Sequence, residues 1–401
     1  MKQKKIVLWL LAALNFTHIL DFMIMMPLGN YLMPYFNISP KQFSWLVAAY
    51  TVSAAITGFS AAFIVDRYDR KKILLVGYVG FLIGTIACGI APTYWLLVVS
   101  RTVAGLFGGL IGAQVLSIIA DLFSYEERGK AMGTVMSAFA AASTLGVPFS
   151  LYLANLISWH APFLFVGVIG IVLIPLLNKN IPRMTKHIRS KEDTERIWEA
   201  LFQVLRNPKA IWALVFSFLL LTGHFLIIPF INPFMEFNMG FSKLQTPMIY
   251  LVGGIASLVT SRWLGRMADQ HGKLKVFSIS VFLSLGLVAI ITNMPPISFF
   301  WILLVFGVWF IMGTGRGVTA QSMISNVVPP QQRGSFMSFN SSMQQLGTSF
   351  ASFIAGFIVT SDPITHKISN YPWLGFMSVI TLGIALLIAR KLFIGMDAPK
   401  Q

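Results

Sequence analysis

The sequence predicts an all-α polytopic membrane protein: twelve transmembrane helices forming two six-helix bundles related by pseudo-two-fold symmetry. Three observations predict it. Of 401 residues, 56% are hydrophobic and only 11% charged, where a soluble globular chain carries roughly 25% charged residues. Apolar runs near the roughly 20 residues that span a bilayer recur along the whole chain. Finally, residues of the first half reappear in register in the second.

The runs fall at 6–33, 43–65, 73–91, 94–123, 131–157 and 162–178, then at 210–236, 244–268, 276–292, 298–327, 335–360 and 372–390. Most breaks hold Pro, Asn, Gly or a charge cluster, as short loops do. Helix one opens with Lys2, Lys4 and Lys5 before an apolar stretch, as a secretory leader would. The stretch continues past Asp21 and no small-residue cleavage site follows, so a retained helix is expected. In helix five, Pro148 predicts a bend. The longest polar stretch divides the chain into an N-terminal bundle (1–178), a linker (179–209) and a C-terminal bundle (210–401). Within the linker, Ser190-Lys191-Glu192-Asp193 has the form of a capping box. Ile197, Ala200, Leu201, Val204 and Leu205 then recur at helical spacing. They predict either an amphipathic helix on the membrane surface or a plain linker helix. The single cysteine, Cys88, lies in an apolar run and reads as a packing residue.

The net charge is +16, but the basic residues sit between apolar runs, which points to membrane topology rather than nucleic acid. With the N-terminus inside, 23 of the 30 Lys and Arg fall on inner segments and three (Lys41, Lys243, Lys367) on outer loops. The other four, Arg101, Arg262, Arg266 and Arg316, lie within helices or at their ends. This asymmetry predicts both termini in the cytoplasm of a bacterial-type inner membrane.

The repeat is read by shifting the chain. A shift of 205 residues places Gly108 and Gly112 of helix four on Gly313 and Gly317 of helix ten. It also places Ser117 on Ser322, Arg128-Gly129 on Arg333-Gly334, Met132 on Met337 and Ser137 on Ser342. A shift of 203 places Asp66 on Asp269. Repeats of one topology put a substrate path between them near the bilayer midplane. Glycines four apart allow close helix approach, so Gly108/Gly112 and Gly313/Gly317, with Gly105 and Gly146, are expected at packed interfaces.

The loop after helix two reads Asp66-Arg67-Tyr68-Asp69-Arg70-Lys71-Lys72, and its second copy Gly265-Arg266-Met267-Ala268-Asp269-Gln270-His271-Gly272-Lys273. These segments resemble the duplicated G-x-x-x-D-R-x-G-R-[RK] loop of the major facilitator superfamily. Together with twelve helices and a central linker, the resemblance covers the whole chain and extends to the drug/proton antiporter and sugar-efflux members. The first copy departs twice, with Ala62 and Asp69 at glycine positions. The resemblance implies a cluster of Asp66, Arg70 and Asp121 that latches the inner side, with Arg67 and Lys71 beside it and Gly265, Asp269, Gly272 and Lys273 as the second copy. Charge that merely sets topology is the simpler alternative. Helix four carries Arg101-Thr102-Val103-Ala104-Gly105, which resembles the family's R-x-x-x-G pattern with Ala104 in place of its usual Gln. Helix five, Gly146-Val147-Pro148-Phe149-Ser150-Leu151, departs from the antiporters' G-P-x-x-G-G.

A buried arginine costs roughly 2.5–3.5 kcal/mol on insertion scales, so Arg101 should face a cavity or a carboxylate. Asp21 is the only acid deep in an apolar run. At 1.5 Å per residue the two depths differ by roughly 6 Å, within reach of the arginine side chain. His18 lies one turn before Asp21. Desolvation opposes the charge of Asp21 and Arg101 favours it, so access that changes with conformation could load and release a proton. A fixed structural ion pair is the alternative. In the second half, His224 is a coupling candidate or a packing residue. Arg316 either holds an anionic substrate or caps backbone carbonyls between Gly315 and Gly317. Ser341, Gln345, Thr348 and Ser352 form a polar stripe on helix eleven. Ser341, Gln345 and Thr348 are candidate cavity residues, with Asn15 and Gln114.

The expected function is proton-coupled secondary transport, exporting a small organic molecule by alternating access. Proton-coupled uptake of a small organic anion is the alternative. No G-x-x-x-x-G-K-[ST] loop is present, and no nucleophile–base spacing suggests an enzyme. The expected partners are a small-molecule substrate, protons and the lipid bilayer, with no nucleic acid and no cofactor; a single chain is expected to suffice.

Overall fold

The computed structural model describes residues 2–64, 68–185, 206–329 and 333–395. Its helices are α1 (Lys2–Ile24), α2 (Gly29–Phe36), α3 (Pro40–Ile64), α4 (Arg70–Gly89), α5 (Tyr94–Leu122), α6 (Tyr125–Ala141), α7 (Val147–Leu156) and α8 (Ala161–Asn180). They continue with α9 (Pro208–Phe225), α10 (Thr246–His271), α11 (Lys273–Thr292), α12 (Phe299–Ile324), α13 (Arg333–Ile358) and α14 (Tyr371–Phe393). Short helical turns over 228–238 prolong α9. A two-residue hairpin, β1 (Thr360–Ser361) with β2 (Ile368–Ser369), joins α13 to α14. Among the described residues, eleven helical segments are long and apolar enough to cross a membrane. The 26-residue α13 is a twelfth of the same length with more polar residues. Helices one to six of the sequence are thus α1, α3, α4, α5, α6/α7 and α8; helices seven to twelve are α9 with its extension, then α10 to α14. The expected linker helix lies outside the described residues.

Local chemistry sets several of these ends. Thr93 Oγ1 accepts the Leu96 N–H at 3.3 Å to start α5, and Asn207 Oδ1 accepts from Lys209 N at 3.0 Å ahead of Pro208 at the start of α9. Between α6 and α7 the helix passes through a π turn at Ala142–Gly146. Pro148 follows at once and lacks the N–H that would reach the Thr144 carbonyl, so the i→i−4 ladder is broken where the bend was expected.

By contacts the chain forms two compact units, one of residues 1–25 and 46–200, the other of 26–45 and 201–401. In the first unit α1 packs on α6 and α8, and α4 packs on α5 and α8. In the second, α9 packs on α13 and α14, and α11 packs on α12 and α14. These are the same pairings shifted by six spans, so the repeat seen in the sequence is a repeat of packing. Each unit has its own apolar core, one around Leu11, Tyr78, Phe81 and Ile118, the other around Phe216, Phe277, Phe336 and Phe393. In the second unit the segment 26–45 is held by Asn232, whose Nδ2 donates to the Pro27 carbonyl at 2.9 Å. Phe43 stands edge-on to Phe230 at 6.1 Å.

The glycine expectation needs correction at Gly112 and Gly317. Close approach of α5 to α3 runs through Gly105 and Gly109: a Cβ on Gly105 would strike Ser53 Oγ and the Tyr50 carbonyl, and one on Gly109 the Ala54 carbonyl. Gly108 meets the Tyr50 hydroxyl and Gly112 meets nothing within 4 Å. Helices that cross at an angle touch over a limited stretch, and here it is centred on Gly105 and Gly109. In α12 the contact glycine is Gly315, against Ser280 of α11, whereas Gly317 has open space. Two residues turn the helix by about 200°, so Gly317 faces away from that contact. Gly146 does pack, against Leu20.

Candidate functional site

Asp21 on α1 and Arg101 on α5 meet in the interior of the first unit. Arg101 Nη1 donates to Asp21 Oδ2 at 2.8 Å, with the side chains 1% and 0% exposed. The same nitrogen lies 3.5 Å from the Asp21 carbonyl. The guanidinium sits 4.4 Å from the centre of the Tyr50 ring, an arrangement in which the ring face supports the cation. The second carboxylate oxygen, Oδ1, has no well-formed hydrogen bond and lies near Thr85. The site is therefore a closed charge pair with one carboxylate oxygen outside the ion pair, a place where a proton can add without displacing Arg101.

His18 does not join this pair. Its ring stands edge-on to Phe81 at 5.5 Å and abuts Gly108 of α5. Asn15 donates to the Val135 carbonyl at 3.2 Å and so bridges α1 to α6. Gln114 is buried, with its Oε1 unpartnered.

At the basic end of the first unit, Arg70 Nε lies 3.1 Å from Asp121 Oδ2. Asp66 and Arg67 lie outside the described residues. Lys71 Nζ donates to the Asn178 carbonyl at 2.6 Å. Asp69, the residue that departs from the glycine pattern, caps α4: its Oδ1 accepts from Lys71 N at 3.0 Å and from Met184 N at 3.0 Å. The two loop copies close differently at this position. Asp69 has φ −57 and needs no glycine, whereas Gly272 has φ 94, a conformation that glycine adopts without penalty. In the second copy, Gly265 has open space around it, Asp269 is exposed near the end of α10, and Lys273 opens α11.

In the second unit Arg316 of α12 and His224 of α9 come together, Nη2 to Nδ1, at 3.1 Å. On α13 the polar stripe is graded: Ser341 is exposed, Gln345 half-buried, Thr348 and Ser352 buried. Thr348 and Ser352 bond back to their own helix. The helix-to-helix bonds come instead from residues absent from that stripe, Ser217 to Asn340 and Thr222 to the Gly347 carbonyl at 3.1 Å. Sequence reasoning also passed over Tyr50 and Trp309, and it read Asp69 as a departure from the glycine pattern without its capping role. Only Asp69 carried a signal, an acid directly before a helical run.

A sequence profile described as Major Facilitator Superfamily matches residues 11–320 and 263–401. The chain belongs to the major facilitator superfamily. Its superfamily relatives include the MFS-type transporter YceJ of Bacillus subtilis, 26% identical over 379 residues that cover 94% of this chain and 95% of YceJ. Multidrug resistance protein 1 of the same organism is 24% identical over 394 residues, 98% of each chain. Among solved structures, a bacterial homologue of the human lysosomal transporter Spinster superposes with a TM-score of 0.75 at 16% identity, covering 99% of both chains. A D-xylose–proton symporter superposes with a TM-score of 0.73 at 16% identity, over 95% of this chain and 96% of that one. The protein is thus a multi-pass membrane transporter of small molecules and not an enzyme.

Proposed function

We propose that the chain is a proton-coupled exporter of a small organic molecule, with Asp21 as the proton carrier and Arg101 as its positioning partner. The observation that carries this reading is the fully buried Asp21–Arg101 pair at 2.8 Å, with Asp21 Oδ1 outside the ion pair and making no well-formed hydrogen bond. A buried ion pair is weak support for stability, because desolvation offsets its attraction, and intramembrane charges recur at proton relays. The full-length likeness to Multidrug resistance protein 1 favours export.

In this reading both termini lie in the cytoplasm of a bacterial inner membrane, and the chain works by alternating access. When the path opens outward, water reaches Asp21. A proton adds to Oδ1, the acid becomes neutral, and its hold on Arg101 weakens. When the path opens inward, arriving substrate favours the charged pair, and the proton leaves to the cytoplasm. The Arg70–Asp121 pair, with Asp66 and Arg67, latches the cytoplasmic side in one of these states. Asn15 and Gln114 in the first unit, and Ser341, Gln345 and Thr348 in the second, are the candidates for contact with substrate. His18 and His224 are second-rank candidates for the proton path.

Purified protein in weakly buffered detergent solution tests the assignment. Binding of an exported substrate should release up to one proton per molecule bound, and Asp21→Asn should bind without release. Release that survives this substitution would remove Asp21 from the role.

A further inference from the structure

Arg316 differs from Arg101 in one decisive respect. Arg101 faces a carboxylate, whereas the partner of Arg316 is an imidazole. A guanidinium can only donate, so His224 Nδ1 accepts from it and the ring is neutral. Among the described residues no acid forms an ion pair with Arg316. The side chain is 3% exposed and its Nη1 has no hydrogen-bond partner. A second donor nearby is also unused. Trp309, two turns earlier on α12 and 3% exposed, stacks on His224 at 5.2 Å, and its Nε1 has no partner. Between them on the same helix face is Gly313. A Cβ there would meet nothing nearer than Arg316 Nη2 at 3.7 Å and His224 Cε1 at 3.9 Å. His224 itself is only half-buried. The group is therefore a buried positive charge with two idle donors, beside a position kept free of side chain.

We propose that Arg316, Trp309 and His224 form a recognition site for the carboxylate of a small organic acid, and that the transported substrate carries such a group. The proposal rests on the reading of the chain as a small-molecule exporter and deepens it by naming the substrate class. A carboxylate supplies the negative charge and the acceptor lone pairs that the site lacks. Its fit differs from that of a backbone-capping arginine, whose donors would all be engaged. Gly313 adds no side chain beside the guanidinium, and the half-buried His224 is the least enclosed member of the group.

The test uses the full chain in nanodiscs of phosphatidylcholine, which carry no anionic lipid. Binding of 2-naphthoate, benzoate and indole-3-acetate is compared with that of their amides. At least one acid should bind about 10- to 100-fold tighter than its amide, the range for charge-assisted hydrogen bonds. Arg316→Gln should abolish that preference and leave the melting temperature unchanged or higher, because an uncompensated charge is removed. Arg316→Lys should retain part of the preference, and Gly313→Leu should weaken acid and amide alike. Equal binding of every acid and its amide would overturn the proposal. So would a preference that survives Arg316→Gln, or a large fall in melting temperature with that variant, which would mark a structural cap. Loss of the acid's advantage when phosphatidylglycerol is added would assign the site to a lipid headgroup and overturn the substrate claim. Proton release driven by neutral or cationic compounds and indifferent to Arg316→Gln would sink this proposal while sparing the exporter reading. Carboxylate binding that needs Arg316 but releases no proton would do the reverse.

Discussion

A double-mutant cycle on Asp21 and Arg101 measures what their pairing contributes. The nitrogen–oxygen distance is 2.8 Å and neither side chain is more than 1% exposed. With charge centres about 4 Å apart and an effective dielectric of about 20, the attraction is about 4 kcal/mol, in line with the roughly 3–5 kcal/mol lost when one partner of a buried pair is removed. Asp21→Asn leaves Arg101 charged but still over the Tyr50 ring at 4.4 Å, support worth about 0.5–2 kcal/mol. The expected net loss is therefore about 2–4 kcal/mol. Arg101→Gln leaves an acid that can take up a proton, so its loss should be smaller and should shrink further in acid. The double variant Asp21→Asn/Arg101→Gln is neutral on both sides. It should be more stable than the sum of the single losses predicts by about 2–3 kcal/mol. Unfolding in detergent micelles, followed by tryptophan fluorescence, gives all four values. Additive losses within about 0.5 kcal/mol would show that the two charges do not support each other and would refute the electrostatic account of the site.

Other expectations follow from contacts elsewhere. Arg70→Gln should slow turnover several-fold and leave the order of preferred substrates unchanged, because Arg70 pairs with Asp121 at the basic end of α4 and α5; an altered preference in transport assays would contradict the latch. Asp69→Ala removes the acceptor of two backbone N–H groups and should cost about 1–2 kcal/mol, the usual loss for an N-cap, read as a lower midpoint in the same unfolding assay. Gly109→Leu should prevent a folded, monodisperse protein on size-exclusion chromatography, while Gly112→Leu should be tolerated, since only the first meets backbone. In the hairpin loop, Asp362 is held below the usual carboxylate range by the backbone and side chain of Thr365 and by the Ile364 N–H. A lowered folded value means the loop's support is present above the ordinary carboxylate range and fades as pH falls through and below it. Amide exchange at Ile364 and Thr365 should therefore be more protected at pH 6 than at pH 3, after allowance for intrinsic rates, and Asp362→Ala should erase the difference.

The fold was legible because its determinants are additive along the chain. Twelve apolar runs, polar breaks and a repeat visible through Gly108, Arg128 and Asp66 all draw on the same constraint, that backbone in lipid must be helical. The Asp21–Arg101 pair was legible for a related reason: each was the sole charge of its sign at that depth in the first half, and depth can be counted in residues. Contacts that depend on rotation about a helix axis were not legible. Gly105, Gly108, Gly109 and Gly112 lie within a narrow arc of α5, and only the crossing point with α3 decides which of them meet backbone. Asp69 was read as a lost glycine because the loop pattern drew attention from its capping role. The stacking of Trp309 on His224 joins residues 85 apart, and nothing in either local sequence marks it.

The most direct test of proton-coupled export uses inverted membrane vesicles that hold an acid-inside gradient, with a pH-sensitive dye reporting the lumen. The gradient is set up with native protein or with Asp21→Asn, and a panel of drugs, sugars and organic acids is added. The account predicts that at least one compound triggers proton loss from native vesicles, and that Asp21→Asn abolishes this loss while the protein remains folded and inserted. Substrate-triggered proton loss of native size in the Asp21→Asn vesicles would contradict it.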